Sequence, residues 1–201
     1  MIRLFTTMLI TLAFSAALAQ QTVTMAGVVL SEEALPEGTR LGVQVLDENN
    51  AWALEVASTV PVAGTFALEP EAVPEEYLRP FESGAVLLPG IQNEYLVEPQ
   101  GVQFTQASLA MYFDRDGNGV WSRQPQRDPY YLALSQVDNP IGFFTLLYVD
   151  QDTTLRGSDV TVELPHGWNV FTVRFPVSGP VYSAASDVGD VTLEVLDLVG
   201  R

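Results

Sequence analysis

The sequence predicts an all-β protein, its strands antiparallel and packed as a β-sandwich, on two observations. Apolar residues recur at every second position, as in Leu41, Val43 and Val45 or in Val160, Val162 and Leu164, and from Gln21 onward no 3.6-residue period competes with this one. Such alternation puts one face of a strand in a core and the other in water. Turn-forming clusters interrupt the runs at short intervals, among them Asp47-Glu48-Asn49-Asn50 and Pro165-His166-Gly167. That is the spacing of a strand-rich sandwich.

The opening residues belong to a different kind of segment. Met1-Ile2-Arg3 is followed by an apolar run from Leu4 to Leu18 broken only by Thr and Ser, and then by Ala17-Leu18-Ala19. One positive charge, a short hydrophobic stretch and a small-x-small site predict a signal peptide over residues 1–19, cut after Ala19, and a secreted or periplasmic protein. The run is shorter than the ~20 residues that cross a bilayer, and no later stretch replaces it, so no transmembrane segment is expected in the mature chain.

Cysteine is absent, so the fold relies on core packing and any metal it holds instead of disulfides. The 25 Asp and Glu face 9 Arg, one of them (Arg3) in the leader, and there is no Lys. With 25 acids against the remaining 8 Arg, the mature chain carries a net charge of −17. This excludes nucleic acid and anionic membrane surfaces as natural partners and favours cations.

Taken in order, the first strand alternates Val23, Met25 and Val29 against Thr22, Thr24 and Val28, with Gly27 permitting a bulge. Ser31 to Gly38 is a loop. Arg40 to Asp47 turns Leu41, Val43 and Val45 to one face. Ala51 to Ser58 turns Trp52, Leu54 and Val56 inward and Glu55 outward, and Gly64 to Leu68 is a fourth, short strand.

The pattern Gly27-Val28-Val29, Pro36-x-Gly38-x-x-Leu41-x-Val43-x-Val45 and Gly64-x-Phe66-x-Leu68 resembles the transthyretin-like, carboxypeptidase regulatory-like β-sandwich repeat of secreted bacterial proteins, over residues 22–70. In such repeats an Asp-Gly or Asn-Gly turn often precedes the Phe strand, where this chain has Ala63-Gly64. The resemblance implies a non-catalytic structural or binding module and no specific ligand. The length of the chain allows one sandwich or two packed immunoglobulin- or transthyretin-like subdomains, and an envelope protein or a polysaccharide is the kind of partner expected.

The chain then divides at a connection. Residues 20–70 form the first β-rich half, and residues 71–100 carry Pro74, Pro80, Pro89 and Pro99 among several Glu, which deny them long strands. Glu75 to Leu78 fits one helical turn and Ala85 to Leu88 a short strand. Residues 101–201 form the second half. There Val102 and Phe104 lead into a strand with Leu109, Met111 and Phe113, Tyr130 to Leu134 is a short strand, and Gly142 to Val149 is apolar on both faces, as a central strand is. Asp150 to Gly157 reads as polar loop. Val160 to Leu164, Trp168 to Phe175 and Val191 to Val195 finish the chain as strands, each half holding enough for its own small sheet.

The loop following Phe113 is the candidate site. Asp114, Asp116 and Asn118 stand at alternate positions and Gly119 follows, which is the first half of a calcium-loop template: oxygens at positions 1, 3 and 5 converge while Gly at position 6 makes the bend. Val120 would add its carbonyl from position 7. Position 12 is Pro125, where a helix-loop-helix site needs Glu, so the remaining ligand is expected from Asp128 or a distant carboxylate, Asp150 and Asp152 among them. What remains resembles the structural calcium loops of secreted β-proteins and dockerins. The competing reading is a plain hairpin, because Asn118-Gly119 is also a type I′ turn signal.

Trp121, just after the acidic positions, is the candidate ligand contact for a carbohydrate- or protein-binding surface; Trp52 and Trp168 fall within strand patterns and are expected in the core. His166 is the single histidine, so His- or Cys-type zinc sites and thiol catalysis are excluded. No enzyme is expected; a carboxylate-dependent hydrolase is the third reading, with no acid pair singled out.

Overall fold

The computed structural model describes residues 22–86, 95–124, 126–138, 140–158 and 160–199. The expected signal peptide, Pro125, and the Leu87, Leu88, Pro89 and Ile91 stretch of the connection lie outside them. Strands β1 (Thr24–Leu30), β2 (Thr39–Leu46), β3 (Trp52–Thr59) and β4 (Thr65–Leu68) precede a single 3-10 turn at Glu75–Tyr77. Then come β5 (Arg79–Pro80), β6 (Leu96–Glu98), β7 (Gln103–Phe113), β8 (Tyr130–Val137), β9 (Gly142–Val149), β10 (Thr153–Arg156), β11 (Thr161–Leu164), β12 (Gly167–Arg174), β13 (Val181–Ala185) and β14 (Asp187–Val199). The fold is all-β, with no α-helix among the described residues.

One large sheet runs β13-β12-β9-β7-β8-β14-β1-β4, with β2 and β5 also on β7 and β3 beyond β2; a small sheet, β11-β10-β6, lies apart from it. Strands from both sides of the Pro- and Glu-rich connection therefore pair within one sheet, β2 with β7 and β1 with β14. The small sheets expected for each half merge into it.

Among the described residues every strand pairing is antiparallel except one. β1 runs parallel to β14, so the expected purely antiparallel arrangement becomes a mixed one. Gly27 explains how the two strands approach. The register slips between Met25 and Gly27, and a Cβ on Gly27 would lie 1.9 Å from the carbonyl oxygen of Val191.

The alternation read from the sequence produces the core. Leu41, Val43 and Val45 are fully buried with Met25, Met111, Leu146, Val170 and Leu193, each apolar side chain contributing about 1.5–3 kcal/mol by leaving water. Trp168 joins them, its indole N–H donating to the Glu71 carbonyl at 2.7 Å. A second core, with Phe104, Leu147, Val149 and Phe171 from the large sheet and Leu155, Val162 and Leu164 from the small one, joins the two layers.

β10 and β6 occupy residues expected as loop and connection. In β10, Leu155 is the one large apolar side chain, fully buried, while Thr154 and Arg156 hold Glu163 and Glu98 on the outer face. Thr153 is buried beside it but is polar, so a single apolar inward residue is too little contrast to show as a period.

Glu55 also departs from expectation. It is half-buried, accepting hydrogen bonds from Gln44 at 2.6 Å and from the Tyr112 hydroxyl at 3.1 Å. Burial raises its carboxyl above the usual range, partly offset by those donors and by Arg40. Burial, and then the Glu55 carboxylate, push the Tyr112 hydroxyl well upward.

Candidate metal centre

β7 and β8 pair antiparallel at Met111 with Tyr131 and Tyr112 with Tyr130 and are joined by the long loop 114–129, so Asn118-Gly119 does not make a two-residue hairpin between them. The connection leaves β7 at Phe113, whose amide donates to the Pro129 carbonyl at 2.8 Å, which closes the base of the loop. Asp114 is fixed there too, its amide donating to the Gly38 carbonyl at 3.1 Å.

Within the loop the carboxylates fold the backbone around themselves. Asp114 accepts the amides of Asn118 at 3.2 Å and Gly119 at 2.8 Å, and Asp116 accepts that of Asn118 at 3.2 Å. The Asn118 side-chain oxygen accepts the Val120 amide at 2.7 Å. Gly117 and Gly119 have φ of 68° and 80°, the left-handed backbone that glycine adopts without strain. The template glycine at position 6 thus makes the bend its position predicts.

The chain's return brings in the third acid. Asp128 is fully buried and accepts the amides of Arg115 at 3.2 Å and Ser122 at 2.7 Å, while its carbonyl accepts the Trp121 indole N–H at 3.2 Å. Carboxylate oxygens of Asp114, Asp116 and Asp128 all lie within 4.8 Å of one another. Asp114 is 8% exposed, Asp128 not at all, and Asp116 faces solvent.

Among the described residues no arginine forms an ion pair with these three carboxylates. Among the described residues the ion pairs are Arg156 with Glu98 and Arg174 with Asp190, and Arg115 instead donates to the Gln126 carbonyl at 3.1 Å. Two buried carboxylates within 4.8 Å repel by roughly 3 kcal/mol or more at an effective dielectric of 20. Any two of these oxygens are close enough to flank one ion at about 2.4 Å, the distance calcium prefers.

Asp150 and Asp152 do not join this cluster. The Asp150 carboxylate accepts the amide of Gln103, at the opposite end of β7 from Asp114, and Asp152 accepts the amide of His166, each at 2.8 Å. His166 is half-buried, not the free turn residue its neighbours Pro165 and Gly167 suggest.

Trp121 is half-buried, with its ring edge-on to Trp52 at 4.8 Å; Trp52 also meets Tyr130 at 5.2 Å. The loop is braced a second time through Ser58, which accepts from Arg40 at 2.8 Å and donates to the Gly119 carbonyl at 3.3 Å. Sequence reasoning missed this bracing, because Arg40, Ser58 and Trp52 lie on strands distant along the chain from the acidic motif. No protein-family model, curated protein or solved structure matches the chain.

Proposed function

We propose that this chain is an exported, non-catalytic structural or binding module of the bacterial envelope or extracellular space, in which the loop 114–128 holds a structural calcium ion. The observation that carries the reading is the convergence of Asp114, Asp116 and Asp128, two of them buried, with no arginine paired to them among the described residues. All candidate ligands are oxygens, including Asn118 and the Val120 carbonyl. Hard cations select such a set, whereas zinc and copper sites draw on nitrogen and sulfur.

The ion would neutralise the carboxylates and tie the start of the loop to its return. The loop's bracing against Trp52 and Ser58 supports a structural role over a catalytic one. Export follows from the leader-like opening of the sequence, and the module class from the transthyretin-like resemblance. Calorimetric titration of the mature protein with calcium chloride tests the site: one ion per chain is expected, with no heat of binding in an Asp114→Ala, Asp116→Ala variant. Absence of binding in the native protein at millimolar calcium would reject the proposal.

A second reading, a surface for carbohydrate or protein at the loop and Trp121, draws on the partial exposure of both Trp121 and Trp52 beside the acids. The indole N–H of Trp121 is already committed to Asp128, which favours a strut over a ligand platform.

A further inference from the structure

We infer that a groove between the loop 31–36 and β14 is a docking site for an extended, basic peptide segment of a partner protein. The parallel pairing of β1 with β14 ends at Leu30 and Glu194, yet β14 continues to Val199. Past Glu194 the strand is paired with β8 on one side, and β1 no longer covers the other. At that point the chain leaves β1 as the loop 31–36, and a cavity of about 790 Å³ opens between the loop and β14. A strand edge left unpaired among the described residues, inside a groove, is what an added strand needs, since main-chain bonds supply affinity and alternate side chains supply selectivity.

Two features specify the occupant. Glu32, Glu33 and Glu194 line the groove, all exposed and none in an ion pair among the described residues. In a chain this acidic, that rim selects Lys or Arg side chains. The remaining wall is largely apolar. Leu196 sits at the bulge between Val195 and Asp197 and is 64% exposed, beside half-buried Leu35 and Val195. Tyr131, which also lines the groove, is 8% exposed and carries a buried hydroxyl with no hydrogen-bond partner. Alternating basic and apolar side chains fit both parts of this surface; the proposal does not depend on calcium at the loop 114–128.

The probe is a fluorescein-labelled, amidated peptide of alternating valine and lysine, followed by anisotropy at physiological salt. It should bind, and hydrogen exchange of the amides within 195–199 should slow. The combined variant Glu32→Gln, Glu33→Gln, Glu194→Gln should weaken binding roughly tenfold or more, because three rim charges are lost. Neutralising three exposed acids elsewhere, Glu48→Gln, Glu75→Gln and Glu76→Gln, should change it less than about twofold. N-methylation of alternate peptide amides, which blocks strand pairing and keeps the charge, should also cost about tenfold or more. Equal binding of the N-methylated peptide, or equal losses in the two triple variants, overturns the inference in favour of diffuse charge attraction. Displacement by spermine that itself protects 195–199 overturns it in favour of a small polyamine.

Discussion

Replacing Asp128 by Asn separates charge from shape at the acidic loop. The side chain keeps its size and one oxygen acceptor but loses the negative charge held within 4.8 Å of Asp114 and Asp116. In chelator the change removes roughly 3 kcal/mol of repulsion at an effective dielectric of 20. It also costs one charge-assisted bond to the Ser122 or Arg115 amide, about 1.5–3 kcal/mol. The two nearly cancel, so Asp128→Asn should lie within about 1–2 kcal/mol of the native protein without metal. With calcium at 100 times its dissociation constant the native protein gains about 2.7 kcal/mol, and the variant should gain little. For a domain of this size that gain corresponds to a rise in Tm of about 5–10 °C. Thermal unfolding of both proteins, in millimolar calcium and in chelator, reads all four states. An equal calcium-dependent rise in both would remove Asp128 from the site. A loss above about 4 kcal/mol in chelator would show that the carboxylate stabilises the loop unaided and that the repulsion argument is wrong.

Three further outcomes follow from the same structure. Trp168→Ala should cost about 3–5 kcal/mol in urea unfolding, since it empties a buried site and frees the Glu71 carbonyl. Gly27→Ala should cost about 2–3 kcal/mol, because the new methyl meets the Val191 backbone; an unchanged midpoint would mean that β1 shifts on β14 without penalty. The raised carboxyl of Glu55 means that the folded state holds its proton to higher pH than the unfolded chain, so its contribution is greatest below the ordinary glutamate range and is lost as pH rises through the raised value. Urea unfolding from pH 4 to pH 8 should therefore show Glu55→Gln gaining on the native protein as pH rises, and a constant difference would contradict the burial argument.

The sequence carries the fold class because alternation is local: Leu41, Val43 and Val45 announce the buried face of β2 without reference to any other strand. Asp114, Asp116 and Gly119 are legible for the same reason, as their spacing alone sets which oxygens turn inward. What depends on distant partners is not legible. Glu55 reads as solvent-facing until Gln44 and Tyr112 close over it, and β13, with Ser183, Ala184 and Ala185, has too little apolar contrast to show a period. The parallel neighbourhood of β1 and β14 is invisible to any local pattern, since it joins two segments from opposite ends of the chain. Asp128 stands between these cases: it appears as one acid among several, and only the return of the chain to Pro129 brings it to Asp114.

That parallel pair has a mechanical consequence. A pull applied through the residue preceding β1 and the residue following β14 would slide the two strands lengthwise past each other, so their six paired positions share the load at once. An antiparallel hairpin pulled at its open end parts one rung at a time. A module anchored at one terminus and loaded at the other would therefore resist extension through the very contact that the close approach of Gly27 to Val191 makes possible.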